Sequence, residues 1–218
     1  MFKKSLLASL LCSLIAVNTQ AHQLWITQDD NKGPARVYMG DADGDVDTGE
    51  DVAKLAETTQ VFIKDRKQLA KLTVKNDHLE AAVSGNDDVY LFNDQVWKPR
   101  KNKEDKFQAS ILTSRAGRTA TKSTQDFELV PVKANGDDFT LTFKGQPLAN
   151  NSVSVVTPDK WKKTFKTDGT GRVSVPIKEK GRYVLIANHN VAAEANTVIA
   201  GQAVDKLSYT TTLSFIAK

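Results

Sequence analysis

Short runs that alternate apolar and polar side chains, each closed by a turn-forming residue, recur through the second half of this chain. "FTLTFKG" (Phe139 to Gly145), "SVSVVTP" (Ser152 to Pro158), "GRVSVPI" (Gly171 to Ile177), "GRYVLIA" (Gly181 to Ala187) and "TTLSFIA" (Thr211 to Ala217) all have this form. A period of two puts one face of each run in a core and the other in water, which is the pattern of a strand. Many short strands at such spacing predict an all-β chain of antiparallel sandwiches. Only "DVAKLAETTQ" (Asp51 to Gln60) and "DRKQLAKL" (Asp65 to Leu72) carry helical character. In "KTDGTGRVSVPI" the Asp168-Gly169 pair marks a tight turn, and Asp168 is expected to cap it through its own side chain.

The amino terminus constrains where such a protein works. Lys3 and Lys4 precede an apolar run from Leu6 to Val17, and Thr19-Gln20-Ala21 ends in a small residue. These are the three parts of a secretory leader, predicted to be cut after Ala21. The apolar run falls short of the roughly 20 residues a membrane span needs. The expectation is an exported protein with no segment inserted in the membrane. Cutting there removes Cys12, the only cysteine, so no disulfide or thiolate metal site is expected. The formal charge of +4 includes the two leader lysines, and basic residues elsewhere alternate with acidic ones, as in "KPRKNKEDK" (Lys98 to Lys106). A nucleic-acid partner calls for a one-sided basic face, and none is predicted. The polar run "KANGDD" (Lys133 to Asp138) is the best boundary. It divides the chain into a leader (1–21), an N-terminal β-rich lobe (22–135) and a C-terminal sandwich (136–218).

The predicted cut leaves His22 as the first residue. A histidine at a free terminus offers an α-amine and a ring Nδ1 that close a six-membered chelate on one ion. A free amine has a pKa of about 7.7–8.0 and an imidazole about 6.5, so binding displaces a proton near neutrality. Nitrogen donors favour copper, nickel, zinc or cobalt over hard oxygen-seeking ions. A third nitrogen must come from His78 or His189. His189, at a strand end in "ANHN", is the better candidate, whereas His78 in "KNDHLEA" reads as a solvated surface residue. Should the acidic loop fold over the terminus, Asp41 or Asp43 would complete a nitrogen–oxygen site.

That loop, "GDADGDVDTGED" (Gly40 to Asp51), has a competing reading as a calcium site. Its carboxylates fall at alternate positions from Asp41, but an EF-hand needs glycine sixth and glutamate twelfth, where this chain has Val46 and Val52. Trp25, Trp97 and Trp161 are too scattered to predict a sugar platform, and Trp161 is expected to be exposed at a strand end. No "GxSxG" elbow is present for a serine hydrolase. Paired carboxylates for glycosidase chemistry are neither shown nor excluded by 26 acidic residues.

The order of several stretches carries a wider resemblance. "AHQLWI" at the mature start is followed by "ARVYMGD" (Ala35 to Asp41), "SRAGR" (Ser114 to Arg118) and "DFELVPV" (Asp126 to Val132). The strand-rich C-terminal part follows, with "KGRYVLIANH" and a closing "TTLSF". This order resembles a bacterial periplasmic family labelled as a nickel- or cobalt-uptake component. The C-terminal grammar resembles transthyretin-like, carboxypeptidase-regulatory-like sandwiches. The resemblance implies a metal-binding role without catalysis and, as partner, a metal-uptake transporter in the inner membrane. It also implies His22, Trp25 and His189 as matching positions, with Asp41 where the family usually has glutamate. Two other readings share the residues: a copper monooxygenase built on His22, and a non-enzymatic β-sandwich interaction module without metal.

Overall fold

The computed structural model describes residues 22–29 and 33–218. The expected leader, 1–21, lies outside the described residues. The chain is an all-β sandwich. The first half holds β1 (Gln23–Gln28), β2 (Ala35–Gly40), helix α1 (Glu50–Leu55), β3 (Gln60–Phe62), β4 (Leu72–Val74), β5 (Leu79–Ala81), β6 (Val89–Asn93), β7 (Arg100–Lys101), β8 (Phe107–Ala116) and β9 (Phe127–Pro131). The second half holds β10 (Asp138–Phe143), β11 (Gln146–Pro147), β12 (Ser152–Val156), β13 (Lys162–Lys166), β14 (Arg172–Ser174), β15 (Gly181–Ala192), β16 (Val198–Ile199), β17 (Gln202–Ala203) and β18 (Lys206–Ala217). Of the two stretches with helical character only the first half of the first, to Leu55, is helical, while 66–67 form a turn. The Asp168 turn is as expected: its Oδ1 accepts from the Thr170 and Arg172 amides at 2.7 and 3.0 Å.

Two smaller sheets meet the two faces of a central one. The central sheet runs β13-β12-β15-β18-β8-β6-β3, with β7 beside β8. One of its faces meets β9, β10 and β14, and together they bury Phe127, Phe139, Leu141, Tyr183, Leu185 and Leu213. The other face meets the sheet β1-β2-β5-β4. There Leu24, Ile26, Val37 and Leu79 bury against Val61, Leu91 and Leu112. Side-chain alternation makes the division visible within β15: Tyr183, Leu185 and Ala187 belong to the first core, Val184 and Ile186 to the side of Trp25.

Two features of the topology were not legible in the periodicity. The Lys133–Asp138 run is the turn of a hairpin, since β9 pairs with β10 across it (Phe139↔Pro131 through Phe143↔Phe127). Strands from both sides of that run therefore share the central sheet. One pair in that sheet is parallel: β18 lies along β8, with Lys206↔Gln108 through Ser214↔Ala116. A parallel pair needs a long connection, and the whole run β9–β17 supplies it.

Candidate functional site

The site is built on β1, and β1 is held by hydroxyl groups. Among the described residues it is the edge strand of its sheet, paired only with β2 (Gln23↔Gly40 to Gln28↔Ala35). The backbone atoms on its open edge face the central sheet, where an unpaired amide or carbonyl is costly. Ser214 Oγ donates to the Ile26 carbonyl at 2.6 Å and Thr212 Oγ1 to the Leu24 carbonyl at 3.1 Å. Ser114 Oγ accepts the Ile26 amide at 3.0 Å and lies 2.6 Å from Thr212 Oγ1. The sequence stretches "SRAGR" and "TTLSF" thus provide a substitute partner strand for "HQLWI".

Beyond the β1–β2 pairing, the acidic loop turns back on itself. Gly40 has φ +135, and a Cβ there would stand 2.5 Å from the Asp45 carbonyl oxygen and 2.8 Å from Val46 Cα, so only glycine permits the return. Asp41 N–H donates to the Asp45 carbonyl, Asp47 N–H to the Met39 carbonyl and Ala42 N–H to Gln23 Oε1. The loop is therefore folded against the start of β1. His22 directly precedes β1 and Asp41 directly follows β2, so the two flank one end of the hairpin. The contact made is with a different carboxylate: His22 Nδ1 lies 3.3 Å from Asp47 Oδ1. The His22 side chain is 51% exposed, open to a ligand. Asp41 Oδ1 is buried without a hydrogen-bond partner, and Asp43 pairs with Lys162 at 3.4 Å.

The other histidines lie elsewhere. His189 is on the opposite face of the central sheet, with Phe143 edge-on at 4.8 Å and Phe127 at 6.0 Å. Burial holds its ring below the usual imidazole range. It is not brought to His22. The expected ligand set of His22, His189 and Asp41 is not assembled, because the alternation that points Ile186 toward Trp25 points residue 189 away. His78 is not a free surface residue: its side chain is only 16% exposed, bonded to Asp77 at 2.7 Å and tilted against Tyr38 at 5.4 Å. That bond holds the Asp77 carboxyl below the usual range. Among the described residues no three His, Cys, Asp or Glu side chains come together, in the acidic loop or outside it. Trp25 is buried, and Trp161 stands exposed as expected.

Sequence reasoning missed a buried charge cluster. Arg115, Asp88 and Glu128 are all almost wholly buried. Arg115 Nε donates to Asp88 Oδ2 at 3.0 Å and Nη1 to Glu128 Oε1 at 2.9 Å, while Nη2 bonds Asp88 and the Ala120 carbonyl. The Thr119 and Ala120 amides donate to Asp88, and those of Thr124 and Gln125 to Glu128. Burial alone would lower the guanidinium pKa; the pull of Asp88 and Glu128 reverses that and leaves it raised. Burial pushes the Glu128 carboxyl up against the pull of Arg115. Arg115 bonds the Ala120 carbonyl and both carboxylates accept loop amides, so the cluster pins the 117–126 loop. Part of its signal was present in "DFELVPV", where Glu128 interrupts an otherwise apolar strand.

No curated protein matches the chain. A family model described as a domain of unknown function (DUF4198) matches residues 19–191, a span that takes in β1, the acidic loop, the buried cluster and most of the central sheet. The chain belongs to that family.

Proposed function

We propose that this is an exported, periplasmic metal-binding protein, not an enzyme, that buffers a transition ion or passes it to an uptake transporter in the inner membrane. In this reading the ion (nickel, cobalt, copper or zinc) is held by the His22 ring, the Asp47 carboxylate and the His22 α-amine freed by cleavage after Ala21. The observation that carries it is the 3.3 Å between His22 Nδ1 and Asp47 Oδ1. A charge-assisted hydrogen bond would close to about 2.7–2.9 Å. Two donors each about 2.0–2.1 Å from a tetrahedral ion stand about 3.3 Å apart. That spacing supports reading the pair as two ligands of one ion, beside a half-exposed ring. Asp47 takes the place that the sequence assigned to His189, and Asp41 flanks the same end of the hairpin. Two nitrogens and a carboxylate suit a borderline ion better than calcium.

The test is titration of the exported protein with Ni(II), Co(II), Cu(II) and Zn(II), after sequencing its amino terminus. One extra residue ahead of His22 abolishes the chelate and is expected to weaken binding at least about a hundredfold, and Asp47→Asn about tenfold. Equal affinity with the extra residue in place overturns the reading. A second reading, an interaction module without metal, draws on Trp161, a large aromatic side chain 66% exposed just before β13. Exported protein that carries and binds no stoichiometric metal supports that alternative.

A further inference from the structure

The stretches that stand out in the sequence converge on a second place. "HQLW" brings Trp25, "ARVYMGD" brings Arg36 and Tyr38, "KGRYV" brings Arg182 and Val184, and the turn after β12 adds Lys160. All six line one cleft of about 320 Å³ between the β1–β2 hairpin and the β12–β15 part of the central sheet. That volume is at the small end of the range for small-molecule sites, roughly 300–1,000 Å³, and fits a single ring with a substituent.

The walls have two characters. Trp25 and Tyr38 are direct partners in the β1–β2 register, their rings stacked at 5.6 Å and 21°, and they form a flat apolar side with Val184. Burial holds the Tyr38 hydroxyl above its usual pKa, so it stays a neutral donor. The other side is cationic. Arg36 Nη1 donates to Asp29 Oδ2 at 2.8 Å, and Arg182 Nη2 bonds the other oxygen of the same carboxylate. Arg182 Nη1 is buried and, among the described residues, has no acceptor. Lys160 Nζ donates to the Ala42 carbonyl at 3.1 Å and, among the described residues, has no carboxylate within 4 Å. Arg36 and Arg182 thus share the Asp29 carboxylate, and Lys160 makes no ion pair among the described residues. A buried guanidinium N–H without a partner is a standing cost, which the Arg182 fork removes by turning toward an acceptor in the cleft.

We propose that this cleft binds a small flat organic anion, a one-ring carboxylate, with its ring against Trp25 and Tyr38 and its carboxylate on Arg182 and Lys160. Guanidinium forks match carboxylate geometry, and a half-apolar wall distinguishes an organic anion from a bare one. The site does not rest on the metal reading, and its test is run in chelator.

Isothermal titration of the full exported chain with benzoate, benzamide and inorganic phosphate, with a chelator present throughout, decides it. Saturable benzoate binding below about 1 mM is expected, with benzamide and phosphate each weaker by about tenfold or more. Arg182→Gln and Lys160→Met are each expected to weaken benzoate about tenfold while the unfolding midpoint holds. Lys160 carries a single hydrogen bond to the fold, so the second variant stays informative if the first is destabilised. Benzamide binding as well as benzoate removes the anion, and phosphate binding as well removes the ring. Unchanged affinity in Lys160→Met, or no saturable benzoate binding, overturns the proposal.

Discussion

The two faces of the central sheet are closed by different physics. On one, aromatic rings make the joint: Phe139 stacks on Phe215 at 5.9 Å and Phe215 on Tyr183 at 5.5 Å, around Leu185 and Leu213. On the other, apolar packing of Leu24 and Ile26 is supplemented by Ser114, Thr212 and Ser214 bonded to the β1 backbone. Burial is non-directional and tolerates small slides, whereas hydroxyls aimed at individual carbonyls fix a strand along its length. His22 comes one residue before that fixed strand, so its position relative to Asp47 is set by the stitched face. The aromatic face supplies stability; the stitched face supplies placement.

The cluster around Arg115 tests the comparison hardest. Arg115→Ala leaves Asp88 and Glu128 buried without their cation, an expected loss of about 3–5 kcal/mol in urea unfolding. Because Asp88 and Glu128 also hold the 117–126 loop, susceptibility of that loop to limited proteolysis rises with it. A loss below about 1 kcal/mol would show that the cluster is dispensable to the sandwich. On the aromatic face, Leu213→Ala is expected to cost about 2–5 kcal/mol, according to how far the cavity collapses. It should leave metal affinity of the folded protein unchanged, because it does not touch β1.

How far these features can be read from the sequence follows the same division. Period-two runs such as "FTLTFKG" and "SVSVVTP" announce β10 and β12, because each strand has one face in the aromatic core. The Asp168 turn is legible for a local reason, a side chain bonding its own backbone. Pairings between distant segments leave no such mark. Nothing local in "TTLSF" says that Thr212 and Ser214 will reach Leu24 and Ile26, which lie 188 residues away in each case. The site is legible to the same degree. His22 follows from the predicted cut, while its partner depends on the return of the loop at Gly40 and on which of four alternating aspartates that return delivers. Asp47 arrives and His189 does not, because residue parity along β15 is decided by what packs on each face.

The stitches carry smaller effects, and they separate placement from stability. Ser214→Ala leaves the Ile26 carbonyl without its donor, with an expected cost of about 1–3 kcal/mol. The informative readout is metal affinity of the still-folded protein. If β1 is positioned by its hydroxyls, Ser214→Ala weakens the ion at His22 more than Leu213→Ala does, despite the smaller loss of stability. The reverse order would mean that apolar packing alone places the strand.

The smallest effect distinguishes the two histidines, one on each face. Burial against Phe143 and Phe127 lowers the His189 pKa in the folded state, whereas in the unfolded chain it returns to about 6.5. The unfolded state then binds the proton more readily. Stability is complete above the unfolded pKa, declines as pH falls below it, and stops declining once pH is under the folded value. His189→Gln removes that contribution, so the drop in urea midpoint between about pH 7.5 and about pH 5 becomes shallower than in the parent. Because the ring is on the aromatic face, the same variant is expected to keep the parent affinity for Ni(II) or Cu(II) at neutral pH. Loss of metal affinity in His189→Gln with no change in the pH slope would place this histidine with His22 after all, and the two faces could no longer be assigned separate tasks.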